Sequence, residues 1–155
     1  IALPDGTAIS SSLVRQRLNE GEVEQAAALL GSPYSLTGTV MTGKREGRRL
    51  GFPTANIQPW HRKALPAYGV YTCLVETGGA SLPAVVNIGV QPTLPSGKVT
   101  VEAHILEGEP ELYGRKVRLT LLKMLRRERA FGSLQELKEQ IGQDRQTALK
   151  LFDMA

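Results

Sequence analysis

Val99-Thr100-Val101-Glu102-Ala103-His104-Ile105-Leu106 alternates in character: Val99, Val101, Ala103 and Ile105 fall on one face, Glu102 and His104 on the other. A period of two is that of a half-buried strand. Working outward, the strand candidates are Ser35–Met41, Gly69–Glu76, Leu82–Ile88, Lys98–Leu106 and Lys116–Leu125. Gly78-Gly79, Pro92 to Gly97 and Gly108 to Gly114 punctuate them, as turns require. The intervals leave no room for helical crossovers. That argues for antiparallel pairing, in a sheet or a closed barrel, over a parallel α/β fold.

Helical signals flank the strands. A serine in Ile9-Ser-Ser-Ser-Leu-Val-Arg15 can accept a bond from an orphan backbone amide at a helix start. Val23, Ala26, Ala27 and Leu30 recur at helical spacing until Gly31 and Pro33 stop the run. Two short helices with small apolar faces are expected there, docked on something else. At the other end Ser133-Leu-Gln-Glu136 is a capping box, and Leu134, Leu137, Ile141, Ala148 and Leu151 share one helix face. The expected architecture is a barrel over about residues 34 to 129, with one amphipathic helix at about 133 to 152 packed on it.

Composition narrows the chemistry. The 155 residues are 41% hydrophobic and 22% charged, ordinary for one globular domain with a proper core. Nineteen basic against fifteen acidic residues leave a formal charge of +4, which favours anionic ligands without demanding nucleic acid. Cys73 is the only cysteine, excluding an intrachain disulfide and a cysteine-based zinc site. The two histidines, His61 and His104, are far apart in the sequence, which argues against a His-rich metal site. No apolar run approaches membrane-spanning length and no signal peptide is visible, so a cytoplasmic setting is expected. The chain starts at Ile1 rather than Met and is expected to belong to something longer.

Four stretches are candidates for chemistry. Gly38 to Asn56 holds four glycines and four cations in nineteen residues, a composition that lets backbone amides approach an anion. Its start copies seven positions of a phosphate-binding P-loop, but Arg45 stands where Ser or Thr should meet magnesium. Gly47 and Gly51 also leave no comfortable place for the helix a P-loop opens. What survives is a glycine-rich cationic loop, for which an exposed hairpin is the plain alternative.

The loop ends on Pro53, which biases Phe52 toward extended geometry. In an extended segment Thr54 and Asn56 point the same way. Their neutral hard oxygens suit Mg²⁺ when a nucleotide's phosphates supply the charge, although such residues beside a proline often just satisfy a turn. Glu102 is the third candidate: a strand carboxylate that can act as general base toward a hydroxyl, or simply face water. The basic run Arg115, Lys116, Arg118, Lys123, Arg126, Arg127 and Arg129 has only Tyr113 and Phe131 near it. That is few stacking platforms for nucleic acid, so an outer strand face is the better reading.

Taken together these residues resemble the riboflavin kinase family. The likeness lies in Gly38…Gly43…Gly47-Arg48 with Leu50-Gly51-Phe52-Pro53-Thr54-Ala55-Asn56, then Gly69-Val70-Tyr71 and Asn87-Ile88-Gly89 with Pro92-Thr93. It continues through Val101-Glu102-Ala103-His104, Leu112-Tyr113-Gly114 and the series Arg127, Phe131, Leu134, Leu137, Ile141, Asp144. It spans about residues 34 to 152. Ile9 to Arg15 resembles the closing motif of the adenylyltransferase module that precedes the kinase in bacterial bifunctional FAD synthetases, with Ser12 in place of the usual Thr. By that likeness residues 1–32 are a helical linker left from such a module and 33–155 the kinase domain.

The resemblance implies a mainly β fold, a six-stranded antiparallel Greek-key barrel with a C-terminal helix. It implies transfer of the ATP γ-phosphate to the 5′-hydroxyl of riboflavin, giving FMN and ADP. Mg²⁺ would be held with ATP by Thr54 and Asn56, and Glu102 would deprotonate the hydroxyl. Gly38, Gly43, Lys44, Gly47, Arg48, Gly51, Phe52 and Pro53 would line the nucleotide, with Asn87 and Arg127 also at the substrates. The partner would be an N-terminal adenylyltransferase module, with neither membrane nor nucleic acid expected. A non-catalytic barrel binding flavin or single-stranded nucleic acid is the alternative. Lys44-Arg45-Glu46 is more charged than the family's loop, and Met124 stands where an aromatic is expected.

Overall fold

The computed structural model describes residues 11–41, 53–60, 65–90, 99–108 and 110–154. Two helices lead in, α1 (Ser11–Asn19) and α2 (Val23–Leu30). Six strands follow: β1 (Ser35–Met41), β2 (Ala55–Pro59), β3 (Gly69–Thr77), β4 (Ala80–Val90), β5 (Val99–Ile105) and β6 (Lys116–Arg127). Helix α3 (Leu134–Leu151) closes the chain.

All strand pairs are antiparallel and the sheet closes in the order β1-β2-β5-β4-β3-β6. The chain leaves β2 for the far side of the barrel, returns by hairpins to lay β5 beside β2, and crosses again to β6. These are Greek-key connections. Alternation on the sequence correctly marks five of the strands. The sixth, β2, escapes it: five residues bounded by Pro59, with Ile57 the one buried side chain, are too few to show a period.

The barrel interior is filled by the inward positions of every strand. Leu36, Val40, Ile57, Tyr71, Cys73, Val75, Val86, Ile88, Val101, Ala103, Val117, Leu119 and Leu121 form one cluster. Burial pushes the Cys73 thiol up, well above the usual range, so it packs as a small hydrophobe. Burial likewise pushes Tyr71 up to about 12, offset in part by nearby Arg127, and its hydroxyl donates to the Ala67 carbonyl. Gly38 lies inside β1, and a Cβ there would run into the Gln58 carbonyl and come 2.7 Å from Ile57 Cγ2. Strand packing alone requires a glycine at that point.

Strand β6 carries two irregularities against β3: Leu122 and Leu125 are the residues its register passes over. Such bulges bend a long strand around a barrel, and they carry β6 past Leu125 to Arg127.

The helices dock differently from one another. Leu18, Val23 and Ala26 join the barrel's own cluster. The buried stripe of α2 is Val23, Ala26 and Leu29, one step away from the expected Leu30, which is 46% exposed. Between α1 and α2, Gly21 takes a left-handed conformation at φ 77°. Met124 occupies the space beside it, its Sδ 2.6 Å from where a Cβ would stand. Its place is therefore against the N-terminal helices.

Helix α3 rests on the barrel's outer surface. Ala148 packs with Val70, Val85 and Leu106, joined by Leu125, Leu149, Phe152 and Met154. The expected apolar face is only partly used, since Leu134 and Leu151 are 66% and 49% exposed. The centre of the buried face is Asp144 with Ala148, a carboxylate where the spacing suggests only hydrophobes. At the N-terminus the serine half of the expected capping box is present: Ser133 Oγ accepts from the Glu136 amide at 3.2 Å, while the glutamate reaches one residue further back than the box requires. The Glu136 carboxylate accepts from Gly132 N at 2.9 Å.

Candidate active site

Register assembles the site. Met41 pairs with Asn56, Asn56 with Glu102, Glu102 with Asn87, Asn87 with Val70, and Val70 with Arg126. Val40, Ile57, Val101, Ala103, Val86, Ile88 and Tyr71, which flank the first five of these residues, belong to the core cluster, so those five lie on the outer face and Arg126 continues the row onto β6. Adjacent strands lie about 4.8 Å apart. Asn56, Glu102 and Asn87, drawn from three distant parts of the sequence, are thus consecutive side chains on one surface.

The row changes character along its length. Met41 and Asn87 are exposed and Asn56 and Glu102 half-buried, whereas Val70 lies beneath α3. Arg126 holds that helix: its Nε lies 3.1 and 3.0 Å from the two Asp144 oxygens, and its second nitrogen 3.0 Å from Oδ2. Gln140 Nε2 donates to the same carboxylate at 2.9 Å. Asp144 is only 7% exposed, and a charge so buried requires such a partner set. The helix therefore forms a wall beside the open part of the row.

His104 stands two residues beyond Glu102 on the same face of β5. Its Nδ1 is 2.8 Å from the Pro53 carbonyl oxygen. A carbonyl only accepts, so Nδ1 carries the proton. Burial draws the imidazole below its ordinary pKa, the bond to Pro53 acts the other way, and Arg145 adds a smaller lowering. Arg145 itself reaches from α3 to the Leu106 carbonyl at 2.9 Å.

Of the residues singled out in the sequence, Pro53, Thr54, Asn56, Asn87 and Glu102 come together here. Gly43, Lys44, Gly47, Arg48, Gly51 and Phe52 lie outside the described residues, as do Pro92 and Thr93. Gly38 is buried in β1. Arg127 sits apart from the row, donating to the Glu20 carbonyl at 2.9 Å and so tying β6 to the turn between α1 and α2.

The rest of the basic run is largely partnered inside the chain. Arg118 pairs with Glu76 at 2.8 Å. Lys116 lies 5.1 Å from the centre of the Trp60 ring, and Arg129 4.7 Å from that of Phe131. Sequence reading missed the part played by His104 and by Arg126 with Asp144. The alternation that selected Glu102 also put His104 on its face. A lone carboxylate among Ile141 and Ala148 was a sign that a cation waits opposite.

Among the described residues no three His, Cys, Asp or Glu side chains converge as a metal cage. Thr54 is exposed and Asn56 lies beside Glu102, so their neutral oxygens fit a hard cation that draws its charge from substrate phosphates. An antiparallel barrel with such oxygens beside a carboxylate, open to solvent along one wall, suits one class of chemistry, phosphoryl transfer by positioning of the reactants.

The comparisons with known proteins narrow that class. The family model for riboflavin kinase, flavokinase, covers residues 30–152. The chain is 41% identical over 150 residues to the bifunctional riboflavin kinase/FMN adenylyltransferase of Escherichia coli K12, covering 96% of this chain and 48% of that protein. For the Bacillus subtilis protein of the same description the figures are 38% over 147 residues, 93% and 46%. The riboflavin kinase of Trypanosoma brucei superposes with a TM-score of 0.54 at 26% identity, over 78% of this chain and 80% of that one.

A Streptococcus pneumoniae structure described as a macrolide-efflux protein superposes with a TM-score of 0.85 at 31% identity, over 96% of this chain and 48% of that one. The efflux description belongs to that protein. Here, among the described residues, no helix is long and apolar enough to cross a membrane. The chain belongs to the riboflavin kinase family, and the activity that membership carries is riboflavin kinase. It spans about half the length of the curated relatives it is similar to.

Proposed function

We propose that the Asn56–Glu102–Asn87 row is where the ATP γ-phosphate passes to the ribityl 5′-hydroxyl of riboflavin. The observation that carries this is the register itself: a carboxylate held between two carboxamides on adjoining strands. Glu102 takes the proton of the attacking hydroxyl, and the oxygen then bonds to the γ-phosphorus as the bond to the ADP oxygen breaks. Asn87 orients the hydroxyl from the far side of Glu102. Thr54 and Asn56 hold Mg²⁺, which when bound neutralises phosphate charge. Positioning and charge neutralisation supply most of the rate in this class of reaction.

Gly43, Lys44, Gly47, Arg48, Gly51 and Phe52 belong, in this reading, to a cover over the nucleotide. Arg127 and α3 border the flavin ring. In this reading the working protein carries an N-terminal adenylyltransferase module, in line with relatives described as bifunctional riboflavin kinase/FMN adenylyltransferases, and acts in the cytoplasm without nucleic acid.

The direct test incubates the protein with riboflavin and Mg·ATP and follows FMN and ADP by chromatography. Stoichiometric FMN and ADP are expected. Folded protein that binds riboflavin yet makes no FMN would instead favour the non-catalytic barrel.

A further inference from the structure

The seam between β2 and β5 is short. Its described pairs are Ala55 with Ala103 and Asn56 with Glu102, against nine pairs between β3 and β4 and seven between β4 and β5. Residues 53 and 54 precede the first of those pairs. Pro53 has no N–H and cannot donate to a ladder, so its carbonyl is its one backbone hydrogen-bonding group. That carbonyl accepts from His104 Nδ1 at 2.8 Å, and just past the end of β5 Arg145 ties α3 to the Leu106 carbonyl at 2.9 Å. The bond therefore spans from β5, two residues after Glu102, to the residue immediately before Thr54.

We propose that His104 is a positioning residue, whose Nδ1–H bond to the Pro53 carbonyl sets Thr54 and Asn56 in place relative to Glu102. This rests on the reading of Thr54 and Asn56 as the Mg·nucleotide end of the site. Outer partners that orient metal-binding groups commonly matter nearly as much as the ligands themselves. A ring that merely filled space would have no need of a donor aimed at this carbonyl.

Three variants separate donor from bulk. His104→Phe keeps the ring and loses the donor. His104→Asn loses the ring and keeps an N–H where Nδ1 stands. Asn56→Ala removes a ligand and leaves the clamp. Amide hydrogen exchange on the ligand-free protein is the first readout. Exchange at Ala55 to Ile57 should quicken about tenfold in His104→Phe, as for one lost hydrogen bond, and return toward wild type in His104→Asn. Calorimetry is the second: Mg·ADP affinity should fall about tenfold or more in His104→Phe with riboflavin affinity unchanged.

Wild-type exchange and Mg·ADP binding in His104→Phe, beside weakened binding in Asn56→Ala, would overturn the role of His104 alone. The same holds if His104→Asn behaves like His104→Phe, or if exchange quickens throughout the barrel and riboflavin binding is lost equally. Unchanged Mg·ADP affinity in Asn56→Ala would overturn the reading of the segment, and with it the purpose of the clamp. His104→Leu serves as the donor-free variant should the Phe ring prevent folding, and is subject to the same outcomes.

Discussion

The two faces of β5 divide the work of the molecule. Val101, Ala103 and Ile105 point inward and are 1%, 1% and 9% exposed, sealed among the side chains of neighbouring strands. Glu102 and His104, interleaved with them, face outward between Asn56, Asn87 and α3. Inward positions contribute through apolar area and are interchangeable within limits of volume. Outward positions contribute through specific atoms at specific places. Period two thus lets a seven-residue strand hold a barrel closed and present a carboxylate at once.

The sharpest way to break that division is to change Glu102 without changing its size. Glu102→Gln should lower kcat by about two to four orders of magnitude, the usual contribution of a general base, while the unfolding midpoint stays near wild type. Steady-state FMN formation and thermal melts measured together decide it, and a near-native rate removes Glu102 from the base role. Next comes the buried part of the outer row. Asp144→Ala leaves Arg126 uncompensated beneath α3 and should destabilise by about 3 kcal/mol, read from urea unfolding, with flavin affinity falling as the helix loosens.

Val101→Ala, on the inner face beside Glu102, should destabilise by about 2 kcal/mol. Its kcat should stay near wild type at temperatures where it remains folded. A loss of turnover there comparable to Glu102→Gln would mean the faces are not separable. The smallest effect belongs to an outward carboxylate far from the site. Hydrogen bonds from Arg118 and Thr120 hold the Glu76 carboxyl below its ordinary 4.5. Its contribution to stability is therefore present above about pH 4.5 and lost as pH falls through the lowered value. Glu76→Gln should be slightly less stable than wild type at pH 7 and converge with it in acid. A constant gap across that range would show that Glu76 acts by something other than charge.

Much of this was legible from residue order, for physical reasons. Val99 to Leu106 is buried on one side only, so its alternation survives in the sequence and places both Glu102 and His104. The Ser133 cap is local chemistry and reads directly. Strand β2 was not legible as a strand because one inward residue, Ile57, makes no pattern. The phase of α2 slipped because Leu29 and Leu30 are chemically alike, and only the barrel end chooses between them. The row itself belongs to register, which pairs Asn56 with Glu102 across 46 residues of chain; the family likeness supplied what spacing does not contain. Asp144 was visible as a family position, but its partner on β6 lies beyond two bulges that disrupt the count.

The short seam between β2 and β5 carries one further consequence. A closed barrel is a hoop, and a hoop parts where the fewest bonds hold it. Here, among the described strand pairs, that place is the seam where Asn56 meets Glu102. On the proposed reading, bound nucleotide and its ion at Thr54 and Asn56, beside Glu102 on the next strand, would act as a clasp as well as a reactant. Occupancy and closure of the hoop then become one equilibrium. A ligand at a hundred times its Kd would add about 2.7 kcal/mol to the stability of the whole domain. Substrate supply would then govern how long the protein lasts as well as how fast it works.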